Sequence, residues 1–383
     1  RNVVHKGNYK MKIDDGGGAT TNGMIIFASI NPYTGGPSGT YDFQGVLSLN
    51  GHNNPLSNHV LIGIEQQLLN KSTKMKNSGT INIDSGNNVI GIQIDTEGSH
   101  PSGNEMDNSA GKININAQNS IGIDFGYYSP TPLHTDLKLG TINVNGTNNY
   151  GFRMRDYTST VTFGGWSAPP TPTYYDDVTV SGTGGKITVK GTENVGISIA
   201  QGISSGDPLS KITDLNVLVG GSKNIGFLRN KNIGATNNSN VMVLNGTTTG
   251  ADFNFLSDAT QGALVRSDKN EIKYDKDITV GATGVQNTLF QAGEQGTVRL
   301  GSGKTATSTS SNEFYGMTAG NFAANPADRT SGAKIINDGT LTISGDKSIA
   351  MAIDTGNNGE NNGTVTFNGD NTSGIYSLGD YKQ

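Results

Sequence analysis

The chain repeats one short pattern from end to end, and that repetition limits its fold more than any other feature. The clearest copies are GTINIDSGNNVIGIQI (79–94), GKININAQNSIGIDF (111–125), GTINVNGTNNYGFRM (140–154) and GKITVKGTENVGISI (185–199). Others return near the end as GTLTISGDKSIAMAI (339–353) and GTVTFNGDNTSGIYSL (363–378), with looser ones at 10–30, 45–65, 213–229, 239–256, 276–291 and 296–318. Each copy reads as a glycine, a strand, an Asn-rich turn and a second strand. Self-similarity at a period of roughly 20 to 50 residues signals stacked supersecondary units in place of independent globular domains.

Within each unit the aliphatic residues fall on every second position, as in Ile81-Asn82-Ile83, which is the period of a strand with one buried face. The turn residues Asn, Gly, Asp and Ser reach left-handed backbone conformations at low cost and so reverse the chain sharply. The glycine that opens many second strands (Gly91, Gly122, Gly151, Gly196, Gly226, Gly374) suits a bend or a close approach of neighbouring coils. One unit cannot bury its own apolar face, but stacking can. Parallel pairing at roughly 4.8 Å per step would turn about twelve coils into a rod on the order of 60 Å long. The expected fold is therefore all-β, a parallel β-helix over residues 1–383. Hydrophobic residues make up only 33% of the chain, which implies a thin core, and Ile (31) outnumbers Leu (20), which favours strands. The 44 asparagines either stack as hydrogen-bonded ladders or simply suit turns. A barrel or sandwich is the rival fold, but it has no need of the same two-strand order throughout.

The spacing between first strands runs 32 residues from Ile81 to Ile113, 29 to Ile142, 45 to Ile187 and 28 to Leu215. The extra residues follow the second strand, giving expected insertion loops at 30–44, 95–110, 126–136, 156–177 and 201–210. Equivalent positions stack along a solenoid, so these loops should share one edge, and function in solenoids usually lives on such an edge. Two neighbouring loops concentrate rings: Tyr127 and Tyr128 in one, Tyr157, Trp166, Tyr174 and Tyr175 in the next, with Asp176 and Asp177 beside them as acceptors. Proline-stiffened loops carrying such rings offer flat contact area at low entropic cost, which suits a sugar or a protein. The competing reading folds the same rings inward to cover the edge of the core.

Other chemistry finds little footing. With 27 basic and 32 acidic side chains, a formal net charge of −5 does not suit a nucleic-acid partner. Zero cysteines exclude disulfides, thiolate zinc sites and cysteine nucleophiles. No apolar run approaches the roughly 18 residues that cross a bilayer. LGSGKT (300–305) lacks the first glycine of a phosphate loop, where Val298 stands, and no helical pattern follows it. The five histidines show no metal-ligand spacing, calcium-binding nonapeptides are absent, and no cofactor or metal is expected. The adjacent acid pairs Asp14-Asp15 and Asp176-Asp177 lie too far apart in sequence for a glycosidase pair, so we expect no enzyme. The opening RNVVHKGNYK has neither an initiator Met nor a signal core, and YSLGDYKQ stops just after a strand-like segment, so an internal piece of a longer chain is expected.

Phrases such as NSGTINIDSGNNVIGI, GTINVNGTNNYGF and GTLTISGDKSIAMAI resemble the passengers of bacterial type V autotransporters, above all the large fusobacterial outer-membrane adhesins. The likeness covers nearly all of the chain and is faint between about 230 and 335. It implies a right-handed β-helix displayed outside the outer membrane, tethered by a C-terminal barrel that is not in this sequence, and used to attach to host cells or other bacteria. Partners would be a host glycan, a host receptor protein or a neighbouring bacterium. The family supplies no shared motif for ligand contact, so no binding residue is carried over. A spacer stalk and a polysaccharide-cleaving β-helix are the alternatives.

Overall fold

A computed structural model describes residues 2–13, 24–30, 39–54, 59–68, 73–97, 104–128, 135–155, 178–199, 212–230, 241–244, 253–281, 284–309, 313–324 and 326–383. The chain is a parallel β-helix. Its 16-stranded sheet has a main path of twelve successive strands, from Met24–Ile30 to Ser373–Ser377, one for each coil. The named strands of neighbouring coils pair in parallel. The only helix among the described residues is a single turn at Pro326–Asp328, and none is long and apolar enough to cross a membrane.

Each coil uses three strands where the sequence pattern showed two. Face A begins with Val3–His5, Gly39–Phe43 and Thr73–Asn77 in a 7-stranded sheet. Face B is the first strand of the repeat, an 8-stranded sheet opening with Asn8–Lys12 and continued by a 4-stranded sheet from Ile278–Val280 to Thr364–Asn368. Face C is the second strand of the repeat. The face A strands were hidden inside the expected insertions: Gly39–Phe43 lies within 30–44 and Asn104–Asp107 within 95–110. Of 126–136, the first three residues end the strand Ile121–Tyr128 and the last two begin Thr135–Lys138. The expectation for these three stretches is thus corrected to shorter insertions, whereas 156–177 and 201–210 lie outside the described residues. Two registers also differ. Ile187 pairs with Val217, not Leu215, and the unit read at 239–256 holds Val241–Leu244 of face A and Phe253–Phe255 of face B.

The interior is built from columns. On face B, Ile81, Ile113 and Ile142 stack in register and are buried to 2% exposure or less. On face C, Ile92, Ile123 and Phe152 do the same. Burying one such side chain contributes roughly 2 kcal/mol relative to leaving it exposed. Between Gly151 and the next coil there is no room for a side chain: a Cβ at Gly151 would sit 2.6 Å from the Gly196 carbonyl oxygen. Close approach, one of the two roles foreseen for these glycines, is the reason for Gly151.

At the corner from face B to face C the same residue position is left-handed in coil after coil, with φ of 57° at Asn88, 49° at Asn119, 56° at Asn148, 57° at Glu193 and 56° at Lys223. The residue after it is often a fully buried asparagine: Asn149, Asn194, Asn224 and Asn287 are all 0% exposed. These form a ladder, although side chain bonds to backbone in place of side chain to side chain. The Asn149 N–H donates to Asn194 Oδ1 (2.7 Å) and the Asn194 N–H to Asn224 Oδ1 (2.7 Å). Asn194 Nδ2 donates to the carbonyls of Gly146 (3.0 Å) and Lys190 (2.5 Å). Every polar atom of the amide is used, as burial requires.

Candidate binding edge

The corner from face C to face A is where the coils differ. Face C strands end at Ile30, Leu68, Glu97, Tyr128, Met154, Ile199 and Arg229, and the next face A strands begin at Gly39, Thr73, Asn104, Thr135, Val178, Ile212 and Val241. Seven successive coils therefore leave and re-enter at one corner. Further on, Ala263–Tyr274 (12 residues) and Thr288–Leu300 (13 residues) run from face C straight into face A. One edge of the rod carries the long connections, as the repeat implied.

Tyr127 and Tyr128 close the strand Ile121–Tyr128, with Thr96 and Glu97 opposite them in the preceding coil. They are strand residues, correcting their placement in a loop. Tyr157, Trp166, Tyr174, Tyr175, Asp176 and Asp177 lie outside the described residues. What the structure does fix is their attachment. The strands carrying the two ring-bearing segments are direct neighbours, Ile121 opposite Tyr150, and the segments return on neighbours too, Thr135 opposite Val178. The strands from which the two segments leave, and to which they return, are thus one coil apart, about 4.8 Å along the rod.

Arg–carboxylate pairs line this corner. Asp124, 1% exposed, lies in register with Arg153, whose Nε and Nη2 donate to its two oxygens at 2.9 and 3.1 Å. Arg155 Nε stands 3.1 Å from the same carboxylate, and Arg153 also lies over the Tyr150 ring at 5.8 Å. In the seventh coil Arg229, 0% exposed, donates to the Glu271 carbonyl oxygen at 2.5 Å; burial pulls its guanidinium down to about 10, against the pull of the Glu271 charge. Arg266 pairs with Asp268 at 2.6 Å, where burial pushes the carboxyl up in spite of the arginine. Asp354, 0% exposed, pairs with Arg329 at 3.3 Å. Sequence reasoning missed this set. Asp124 and Arg153 occupy the same place in adjacent copies of the repeat, and that alignment was the available signal.

Rings also gather where none were sought. In the first two coils His5, Tyr9 and Phe27 pack together, with His5–Tyr9 and Tyr9–Phe27 centroids 4.9 Å apart. Tyr41 beside them has its hydroxyl pushed up to about 12 by burial, with Tyr9 adding to the effect. His52 and His59 stack at 5.8 Å, and His52 Nδ1 accepts from the Asn54 N–H at 2.9 Å. Among the described residues no three His, Cys, Asp or Glu side chains come together as a metal site. LGSGKT passes from the end of one strand through a turn into the strand Thr305–Ser308, so no helix follows it.

No protein-family profile, no curated protein and no solved structure matches this chain.

Proposed function

We propose that this chain is a non-catalytic segment of a bacterial surface adhesin, a rod that presents recognition loops along its C-to-A corner. The observation that carries the reading is that seven successive connections, of four to 23 residues, leave the rod at one corner, with the two ring-bearing segments rooted on adjacent coils. The rings these two segments carry would supply the few anchors on which an interface depends. The partner would be a host-surface glycan, a host receptor protein or another bacterium, and the rod would stand outside the outer membrane on a tether beyond this segment. The style of the repeat, which resembles autotransporter passengers, supports that location. A cleaving enzyme would need a pair of free carboxylates facing one cleft. The buried carboxylates of this corner, Asp124 and Asp354, are instead engaged by arginines, which supports a role without catalysis.

One observation favours a spacer role for part of the molecule. From Ala263 to Leu300 face C runs on into face A, leaving no long connection to present. The experiment compares the intact chain with a variant in which 157–176 are replaced by a short Gly-Ser turn, on host cells and a glycan panel. Circular dichroism checks that the variant folds. Binding that is lost in the variant supports recognition at this corner. Equal binding overturns this placement and moves recognition elsewhere on the rod, whereas no binding by either protein favours the spacer reading.

A further inference from the structure

The outer surface of face B differs from both other faces. Its middle outward column holds Ser48, Asn82, Asn114 and Asn143 in the early coils and Thr279, Thr307, Thr342 and Thr366 in the last four. Thr188, Leu218 and Asn254 fill the coils between, so no charge interrupts the column from Ser48 to Thr366. Beside the threonines runs a second column, Thr305, Thr340 and Thr364. Face A, in contrast, carries ion pairs such as Lys138–Glu105 and Lys334–Glu360.

The two halves of this surface bond differently. Asn114 Nδ2 donates to Asn82 Oδ1 and Asn143 Nδ2 to Asn114 Oδ1, both at 2.8 Å, which ties the amides into a ladder along the rod. The threonine hydroxyls of the two columns make no hydrogen bond among the described residues. Side-chain ladders of this kind keep a many-stranded sheet flat. The result is a long array of amides, hydroxyls and methyl groups, with charges only at its first coil, Lys10, and along its margins, such as Lys112, Lys186, Lys190 and Asp277.

We propose that two copies of this chain pair through face B, with the rods antiparallel and related by a two-fold axis along the strand direction. Area argues for a second copy. Twelve coils of strands about four residues wide present roughly 800 Å² per copy, so a full contact buries about 1,600 Å², which is what a stable dimer needs. Only a partner as long and as flat as the rod can cover that surface. Amide and hydroxyl ladders repeat at the same interval on both copies, so they can interdigitate as in a dry zipper.

Charge fixes the direction. With the axis between the sixth and seventh coils, exposed Lys112 of the fourth coil meets exposed Asp277 of the ninth. Asn82 then faces Thr307, Asn114 faces Thr279 and Ser48 faces Thr342. In a parallel pairing each coil meets its own copy, and Lys186 and Lys190, which flank one face B strand, are brought together. The isologous contact of the antiparallel form is also the commonest oligomer symmetry. None of this draws on the corner insertions, so the pairing and the loop-binding reading stand or fall separately.

The test is sedimentation equilibrium of the intact 383-residue chain across a range of concentrations. The expected result is a monomer–dimer equilibrium with its midpoint in the micromolar range. Thr279→Lys with Thr342→Lys should shift the midpoint by about tenfold or more, and Lys112→Asp should weaken pairing by a smaller factor. Thr297→Lys, on face A, should leave it unchanged. Circular dichroism must show each variant folded, and because Lys112→Asp changes only an exposed side chain it remains informative if the double lysine variant does not fold. A chain that stays monomeric at every concentration overturns the proposal. So does a dimer indifferent to the face B variants, or one weakened equally by Thr297→Lys.

Discussion

The B-to-C corner and the C-to-A corner solve the same problem, closing a coil, by opposite means. The first uses buried asparagines, the second uses arginines paired with carboxylates. Asn149, Asn194 and Asn224 occupy successive coils, each bonded to the next. At the other corner Asp124–Arg153, Arg266–Asp268 and Arg329–Asp354 are different arrangements on different coils. The reason is electrostatic. A neutral amide can be repeated at every rung, whereas like charges stacked about 4.8 Å apart in a partly dry corner repel one another. The amide solution therefore propagates and holds the coil length there constant. The ionic solution must be rebuilt coil by coil, and that is where the chain grows: the Asn149 to Asn194 step takes 45 residues, the Asn194 to Asn224 step 30.

If this contrast is right, the largest effect comes from breaking the amide column. Asn194→Ala leaves the Asn149 N–H and the carbonyls of Gly146 and Lys190 without that side chain. With the Asn149 N–H buried and unsatisfied and two bonds to partly buried carbonyls lost, the change should cost about 3 kcal/mol. Because a solenoid opens locally, hydrogen exchange should accelerate in the fifth to seventh coils and leave the last coils protected. Arg153→Ala at the other corner should cost only about 1 kcal/mol, since Arg153 is partly exposed and Asp124 keeps Arg155. Equal losses at the two sites would end the distinction between the corners.

A second break lies beside the amide column, on face C. Gly151→Ala puts a methyl 2.6 Å from the Gly196 carbonyl oxygen, and forcing the coils apart should cost about 2 kcal/mol in a denaturant titration. Three later coils carry a side chain at this place: Leu264 follows Gly226 there, Leu289 follows Leu264, and Ala350 stands opposite Gly316. Ala350→Gly should accordingly change stability by less than Gly151→Ala does.

The two corners also explain how much could be read from the amino acids. Face B, face C and the turn between them were legible because Ile, Asn and Gly recur there at fixed offsets, and the offsets are fixed by the ladder. The ladder itself was one of two readings, since the residues that cap a turn and the residues that stack behind it are the same. Face A was not legible. Its strands, such as Thr73–Asn77, are short, and although each points an apolar residue inward (Met75, Met106, Leu137, Val180), the residue types around it change from coil to coil. They also follow connections of changing length, so no constant spacing points to them. The binding edge was legible as a place, from insertions that always follow the second strand. Its Arg–carboxylate set was not, because pairing depends on register between coils and Asp124 and Arg153 are 29 residues apart.

Shortening the C-to-A corner should do little harm. After Ile353 the last full turn of the rod crosses this corner in four residues, 354–357, before Asn358 begins the next face A strand. Replacing 157–176 with a Gly-Ser turn of similar size should therefore let the coil close. Loop-closure entropy favours the shorter connection by about 1 kcal/mol. The midpoint of thermal unfolding should hold or rise slightly while any ligand binding is lost, which separates the two corners by function as well as by stability. A large fall in the midpoint would mean that 157–176 belongs to the core.

The smallest effect is a difference in pH response, and it follows from the same chemistry. The Asn column has no titratable group and should contribute equally from pH 3 to 9. Face A should not. The Glu105 carboxyl is held below the ordinary range by the hydrogen bond from Lys138, with Lys74 helping and burial opposing; Lys138 is raised in turn, chiefly by the hydrogen bond to Glu105. A depressed carboxylate stabilises the fold above its unfolded value, about 4.3, and loses that contribution as pH falls through the folded value. A raised lysine contributes fully below its unfolded value, about 10.4, and loses it as pH rises through the folded one. The pair should therefore add a plateau of about 0.5 kcal/mol between those limits, after solvent screening. Glu360, held down to about 2 by the hydrogen bonds from Lys334 and Asn362, extends the acid side of the window. A double-mutant cycle of Glu105→Gln and Lys138→Met, measured at pH 7 and again at pH 3 in low salt, should show weaker coupling at pH 3 than at pH 7. The Asn194→Ala loss should be the same at both pH values, and a loss that followed the pH of face A would mean the two ladders are not independent.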